Sequence, residues 1–581
     1  MRTINDPAQS VMFDPLEKLS PTHLRSFINS PEGLFRAAIL AILPAKELAK
    51  NFCPTEGAPT KELYSMAGLM LMMEYHDWTV EEAVNAYMWN GKIQLALNIY
   101  GASCTLSERT IYRYLKIFVD NDEHLLQKAL DDITKTLIEL SGINTQQQRV
   151  DSTHVFSNMA TFGRTRLMGV TIKRFLTQVI RHDPEAYAAL DEDLKKRYQP
   201  SQGKLFADTA KGKGRGKAKE QNQEEHYRLL RQTVAEDMLH LIGIFESHDR
   251  FQSASTFKAL VQVFHEQCEI IGDAVQVRKK TGGSVIQNPS DLEATYDGHK
   301  GVGYQVQLAE TCDVENEVQF ITAVIPETAA ESDMAAVVPV LEALEKNDLL
   351  PTELLADAGY GSDKNIETAD EKGVELVSPT KGNADLSAKE ETIAESLTLD
   401  DFVVDEASEE VVGCPAGHAP ESSVHDETTG KTKTVMPQEA CSGCAFSGAC
   451  PIRRVGEKFT LTHTGKERRL ACRRREESTE VFRKRYARRS GIEATNSGIK
   501  EVTGLRRLRV RGSPRVYMSI WFKVAGWNIR RGAACSRVME MVRQRLGGGS
   551  FGDTLGNFWL RRRVYLECVV ISVNFAQKLT A

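Results

Sequence analysis

The stretch Tyr486-Ala-Arg-Arg489-Ser-Gly-Ile-Glu493-Ala-Thr-Asn-Ser-Gly-Ile-Lys500 constrains this chain more than any other. Tyr486, Arg489, Glu493 and Lys500 stand at offsets that, at about 100° per residue, fall within an arc of about 60° on one helix face. One helix then presents a single carboxylate among two cations and a phenol. The flanks are basic: Arg483-Lys-Arg485 before it, and Arg506-Arg507-Leu-Arg509-Val-Arg511 after it. A lone carboxylate in so cationic a setting fits a metal ligand, with the cations left for phosphates. Two glycines weigh against an unbroken helix, since Gly491 and Gly498 each cost about 1 kcal/mol relative to Ala in a helix interior. A helix ending near Asn496 would take Lys500 off the stripe. The competing reading is a solvated basic helix with an incidental Glu.

Net charge conceals this region. The 581 residues carry a formal charge of −6, yet residues 451–530 hold 22 Lys and Arg against 7 Asp and Glu. Residues 384–410 hold 10 acidic side chains against one Lys. A basic surface beside an acidic segment points to a nucleic-acid partner for the first. The length accommodates about three or four domains. No apolar run opens the chain and no window reaches ~18 uninterrupted apolar residues, so neither a leader nor a membrane span is expected. A cytoplasmic, reducing location follows, where clustered Cys reads as a metal site rather than as disulfides.

Taken in order, residues 1–30 are expected to form a loose arm. Residues 31–140 read as an all-helical N-terminal domain. Thr79-Val-Glu-Glu82 and Thr105-Leu-Ser-Glu108 both fit the capping-box pattern. Ile111, Tyr114, Leu115 and Phe118 follow the second at helical spacing. Such an array is a DNA reader or a packing bundle, and DNA binding is the reading taken here. Residues 141–380 form the first part of a mixed α/β domain. A strand over Gln148–Val155 carries Asp151, and a helical insertion occupies about 160–289. Strands follow at Val302–Leu308 and Val318–Ile325, then a helix over Asp333–Lys346. A strand ends on Asp357 in Glu353-Leu-Leu-Ala-Asp357-Ala-Gly359-Tyr360-Gly361, and a last one covers Val374–Val377. The Gly/Lys stretch Lys211–Lys217 reads as a mobile, solvated loop. Residues 381–475 are an acidic and Cys-rich insertion, 476–530 the Glu493 helix with a basic DNA-binding segment, and 531–581 a tail.

Asp151, Asp357 and Glu493 belong together chemically. Hard divalent ions such as Mg²⁺ take oxygen ligands. Two of them about 4 Å apart activate a hydroxyl on one side of a phosphorus and stabilise the leaving oxygen on the other. With Asp151-Ser-Thr, Asp357-Ala-Gly-Tyr and the fixed Tyr486-x2-Arg489-x3-Glu493-x6-Lys500 spacing, the chain resembles the DDE transposases of bacterial insertion sequences, in the branch with a Tyr-Arg-Glu-Lys signature. The stretches Asp151–Met159 and Gly504–Gly512 and the helical N-terminal segment resemble that family too. The resemblance covers about residues 33–530. It implies an RNase H-like catalytic core, interrupted by the helical and Cys-rich insertions. Asp151, Asp357 and Glu493 would hold two Mg²⁺ (or Mn²⁺) ions. It also implies hydrolysis at the element's ends, followed by attack of the freed 3′-hydroxyl on target DNA. Tyr486, Arg489 and Lys500 would then contact DNA phosphates, with Arg506, Arg507, Arg509 and Arg511 beside them. The partners would be double-stranded DNA of the terminal inverted repeats and the target, and a second copy of the chain in a homodimer at the nucleoid.

Cys414-Pro-Ala-Gly-His418 and Cys441-x2-Cys444-x5-Cys450 suit a structural, tetrahedral Zn²⁺ with four thiolates, with His418 or His425 able to replace one. Two readings compete with transposition: a non-catalytic zinc-containing DNA-binding protein from a decayed element, and an RNase H-fold nuclease that cuts without joining.

Overall fold

A computed structural model describes residues 1–9, 14–99, 104–120, 123–160, 162–206, 217–272, 274–380, 397–405 and 407–547. Residues 211–216 of the Gly/Lys stretch, 381–396 of the acidic segment and 548–581 of the tail lie outside them. The chain divides into two compact units. One comprises the described residues within 1–145, 313–322 and 518–547, the other those within 146–312 and 323–517.

The first unit is helical. The Leu63–Tyr75 helix is apolar on every side (Met66, Leu69, Met70 and Met73 are all buried), which suits an element enclosed by others. Thr79 and Glu82 form the expected capping box at the start of the Val80–Trp89 helix. The next expected box does not form. The helix runs Glu108–Asp120, and it is Ser107 whose hydroxyl accepts from the Thr110 N–H. Thr105 instead accepts from Lys61 Nζ at 3.1 Å. Ile111, Tyr114 and Phe118 are buried as expected, leaving Arg109, Tyr112, Arg113 and Lys116 exposed on the other side. Part of the expected arm is ordered: Ser20 caps a helix over Pro21–Ile28, with Pro21 at its first position. Beyond Arg531, Ser536–Gly547 forms a helix whose Val538, Met539 and Val542 are buried. Residues 518–530, expected as part of a basic surface, carry buried Ile520, Trp521, Phe522, Val524 and Ile529. Their one Lys, Lys523, is buried and held by Glu74 and Asp77.

The second unit is built on a mixed sheet. Its main strands are β1 (Gln147–Val155), β2 (Gly301–Thr311), β3 (Ile321–Thr328), β4 (Glu353–Leu355) and β5 (Glu375–Val377). β3 pairs with β2, β2 runs antiparallel to β1, and β4 and then β5 run parallel on the far side of β1. A short strand, Thr295–Asp297, pairs with the start of β2. Strand β3 begins three residues later than expected and passes through Pro326. The helix expected over Asp333–Lys346 opens as a 3-10 turn (Asp333–Ala336), so Pro339 falls in the first turn of the α-helix at Val337–Lys346, where its missing N–H costs nothing.

Alternation in β2 reads from sequence as one wet face, but the strand is buried on both faces from Gly303 onward. Its glutamines face an internal polar network: Gln307 accepts from the Tyr360 hydroxyl and donates to Glu327 and Asp333.

The helical insertion has its own core. The helices Arg164–His182, Lys217–Phe245 and Ser255–Gln267 enclose Phe175, which meets Phe245 edge-on at 5.1 Å. A hairpin, Cys268–Ile271 with Ala274–Val277, closes it. The Cys-rich region contains a four-stranded antiparallel sheet from Ser422–Asp426, Lys431–Met436, Lys458–Thr464 and Arg453–Val455. Its buried row on the second strand is Thr432, Thr434 and Met436, too polar to read as a core strand in sequence.

Candidate active site

Sheet register brings the first two carboxylates level. β1 and β4 run parallel with Arg149 opposite Leu355, so two residues further on Asp151 stands opposite Asp357. The glycine-rich turn after β4 then fixes Asp357. Its Oδ1 accepts from the Gly359 N–H at 2.7 Å, and its backbone carbonyl accepts from the Ser378 hydroxyl at 2.5 Å. Gly361 is required here, because a Cβ would lie 2.4 Å from Ser378 Oγ. Arg473 braces the same turn, donating to the carbonyls of Gly361 and Ser378.

The third carboxylate arrives on the late helix. Glu480–Tyr486 is α-helical, Ala487–Ser490 tightens to a 3-10 turn, and Gly491–Val502 resumes as α-helix. Gly498 does not end it, so Lys500 is carried on the same helix as Glu493. Buried Ile492 and Ile499 face the sheet. Glu310 of β2 locks the helix there, accepting from the Thr495 hydroxyl at 2.6 Å and from Arg149 at 2.6 Å and 2.9 Å.

All three carboxylates meet one guanidinium. Arg489 Nη2 lies 3.1 Å from Asp151 Oδ1 and 3.8 Å from Asp357 Oδ2, and Nη1 lies 3.3 Å from Glu493 Oε1. Glu493 is otherwise exposed, whereas Asp151 is mostly buried. The second oxygen of Asp151 accepts from Asn496 Nδ2 at 3.1 Å. Nothing in the sequence marks Asn496 as a site residue except its place one turn after Glu493. Its amide oxygen is buried with no hydrogen-bond partner.

Electrostatics follow from this crowding. Burial raises the Asp151 carboxyl above the usual range, Arg489 pulls it back, and Asp357 adds to the rise. A carboxyl raised in the folded state weakens the fold as pH climbs from the unfolded value through the folded one. Asp151→Asn is therefore expected to stabilise the metal-free protein at pH 7 by about 1 kcal/mol. The gain should fade as pH falls through the raised folded-state value of Asp151, below which the wild-type carboxyl is neutral as well. Melting curves in EDTA across that range check it, and an unchanged or lower melting temperature at pH 7 contradicts it.

Other expected site residues are distributed around this centre. Tyr486 is part-buried and stacks on Phe482 with ring centres 5.7 Å apart, and burial raises its hydroxyl pKa. Burial lowers the Lys500 ammonium pKa, and neighbouring Arg506 and Lys300 lower it further. The Arg-rich stretch runs as an extended strip past the end of β1: the Phe156 N–H donates to the Arg506 carbonyl, the Leu508 N–H to Phe156, and the Asn158 N–H to Val510. Buried Leu505 and Leu508 anchor it, while Arg506, Arg507, Arg509 and Arg511 are exposed. Much of the remaining basic charge is spent internally: Arg469 pairs with Asp363 and Glu367, Arg475 with Asp400 and Asp401, and Arg485 with Glu353 and Glu375.

Cys414, Cys441, Cys444 and Cys450 line one cavity together with His418. His425 hydrogen-bonds to Thr432 at 2.9 Å instead. Among the described residues, no three His, Cys, Asp or Glu side chains are arranged so that they hold a metal ion as they stand. At the carboxylates the reason is plain, since Arg489 stands between them.

Residues 413–533 match the family model of a transposase DDE domain. That match supports a DDE transposase. It spans the four cysteines, Tyr486, Arg489, Glu493, Lys500 and the Arg-rich strip, and stops short of Asp151 and Asp357. No curated protein and no solved structure matches the chain. No helix among the described residues is long and apolar enough to cross a membrane.

Proposed function

We propose that this chain is an insertion-sequence transposase that hydrolyses DNA at its element's ends and joins the freed 3′-hydroxyl to target DNA. The observation that carries this reading is the convergence of Asp151, Asp357 and Glu493, from three separated elements, on one cation. The strand order β3-β2-β1-β4-β5, with β2 antiparallel to β1 and with β4 and β5 parallel to it, supports an RNase H-like core. The donors are all oxygen, and the unpartnered Asn496 oxygen adds one more, which fits Mg²⁺ or Mn²⁺. A pair of such ions supplies an activated hydroxyl and charge stabilisation at the leaving oxygen. The chain's own residues do the rest. Asn496 orients Asp151, and the Gly359 N–H orients Asp357. Arg506, Arg507, Arg509 and Arg511 hold the DNA backbone beside β1, and Lys500 and Tyr486 hold phosphates near the cleaved bond. The exposed face of Glu108–Asp120, with Arg109, Tyr112, Arg113 and Lys116, suits recognition of the terminal repeats. Two ends must be held at once, so the working species is a homodimer, acting in the cytoplasm at the nucleoid.

The deciding experiment is Mg²⁺-dependent processing of DNA carrying the element's ends, with a target plasmid present, for wild type beside Glu493→Ala. Cleaved and joined products from the wild type alone are expected. Cleavage without joining would leave a nuclease. Tight binding without cleavage by folded wild type would leave a non-catalytic DNA-binding protein.

The Cys-rich region is read as a structural zinc site held by Cys414, Cys441, Cys444 and Cys450. Its local backbone supports this: the Phe446 N–H donates to Cys444 Sγ at 3.4 Å, and the Cys414 loop closes on the His418 carbonyl. The apolar core beside it is small, centred on Phe402, Val411 and Leu461, so a metal would add stability that packing does not. Elemental analysis of the purified chain should find one zinc, lost in Cys441→Ser with Cys444→Ser. That double variant should become sensitive to proteolysis between residues 397 and 464. Metal-free wild type with full resistance would exclude the site.

A further inference from the structure

One guanidinium serves three carboxylates, an arrangement with two formal negative charges in excess. Arg489 and Asp151 are each 16% exposed, so water screens the group poorly. Arg489 Nε is buried with no hydrogen-bond partner, and among the described residues the guanidinium donates to the carboxylates of Asp151 and Glu493. Both oxygens of Asp151 are engaged: Oδ1 accepts from Arg489 at 3.1 Å and Oδ2 from Asn496 at 3.1 Å. A divalent ion on Oδ1 would sit beside the guanidinium in this poorly screened site, and the two like charges repel. A divalent ion carries twice the charge and takes carboxylate oxygens at about 2.1 Å. The guanidinium stands at 3.1–3.8 Å from the same groups.

We propose that Arg489 stands in for the divalent ions in the metal-free protein, and that metal loading expels its guanidinium, which then binds a DNA phosphate. The inference rests on the assignment of Asp151, Asp357 and Glu493 as the metal-binding triad. The stand-in keeps three carboxylates gathered before metal and DNA arrive, and it makes their binding cooperative. By linkage, a phosphate that captures the expelled guanidinium tightens metal binding by the factor by which metal tightens phosphate binding. Glu493 is four residues from Arg489 on the same stretch of chain, so the side chain can swing out without moving the helix that carries Glu493.

The test is Mn²⁺ titration of the full chain without DNA, followed by electron paramagnetic resonance, for wild type, R489Q, R489K and D357N. R489Q should bind Mn²⁺ roughly tenfold tighter than wild type, within the usual span of coupling factors. R489K, a point charge unable to fork between carboxylates, should fall between them, and D357N should lose the site. In DNA binding, Ca²⁺ should steepen the salt dependence of the wild type by about one phosphate contact and leave that of R489Q unchanged. Equal or weaker Mn²⁺ binding by R489Q, with the site still lost in D357N, overturns the stand-in and leaves the triad intact. Mn²⁺ binding indifferent to D357N removes the triad assignment and the inference with it. Should R489Q fail to melt cooperatively, R489K decides: affinity equal to wild type overturns the proposal.

Discussion

Asp357→Asn should lower Mg²⁺-dependent DNA cleavage about a hundred- to a thousandfold, the loss that removal of a principal transition-state electrostatic group produces, and leave the melting temperature nearly unchanged. The two effects separate because of where Asp357 sits. It lies two residues beyond β4, its side chain is 37% exposed, and its nearest bond is the Gly359 N–H. An Asn carbonyl oxygen can keep that bond. What the variant loses is the negative charge, and with it one ligand of the proposed ion pair. Single-turnover cleavage of end-containing DNA, with thermal melts of both proteins, measures this directly. Cleavage by the variant at the wild-type rate would remove Asp357 from the site. The next carboxylate is then Asp333, which packs against Gly359 and accepts from Gln307.

Much of this site is legible in the amino-acid sequence. Glu493 stands out as a carboxylate alone among cations, whereas Asp151 on a strand and Asp357 at a strand end say little by themselves and are picked out in the company of the Tyr486-x2-Arg489-x3-Glu493-x6-Lys500 spacing. The strands themselves are legible in outline, since β1 to β5 carry β-branched and aliphatic runs. The residues that hold the site are not. Arg149, Glu310 and Thr495 are charged or polar side chains inside an interface, and composition assigns such residues to the surface. Gln305 and Gln307 mimic a solvent-facing alternation because a buried polar network leaves the same period-two pattern as water. Lys523 adds to the basic count of its region, yet it is fully enclosed by the helical unit around Glu74 and Asp77. Arithmetic on charges cannot separate cations that face phosphate from cations already paired, and in residues 451–530 the paired ones are numerous.

The same buried trio makes the largest stability prediction. Glu310 has a side chain only 2% exposed, and Arg149 is its one charged partner among the described residues. Arg149 also donates to the Arg488 carbonyl at 2.8 Å, so it ties the 3-10 turn before the Glu493 helix to β1. Arg149→Ala strands a carboxylate inside the protein, a change that costs about 3–5 kcal/mol when one partner of a buried pair is removed. The measurement is urea unfolding of the metal-free chain, with its second unit expected to unfold at markedly lower denaturant than in wild type. A loss under about 1 kcal/mol would mean that water reaches Glu310, and that the helix is held by Ile492 and Ile499 instead. Arg149→Met with Glu310→Met distinguishes the charge from the tether. Removing both charges should recover most of the stability, because well-packed apolar pairs replace buried ion pairs at little cost. Cleavage should not recover, since Thr495 and the Arg488 carbonyl have both lost their anchor and Glu493 rides on that helix. Gly491→Ala reaches the same tether without removing a charge: a Cβ there would lie 2.0 Å from Arg149 Nη1 and must push the guanidinium off the turn. An alanine is otherwise favoured in a helix over glycine, so a loss of both stability and cleavage in Gly491→Ala would trace to the displaced Arg149, and through it to the position of Glu493.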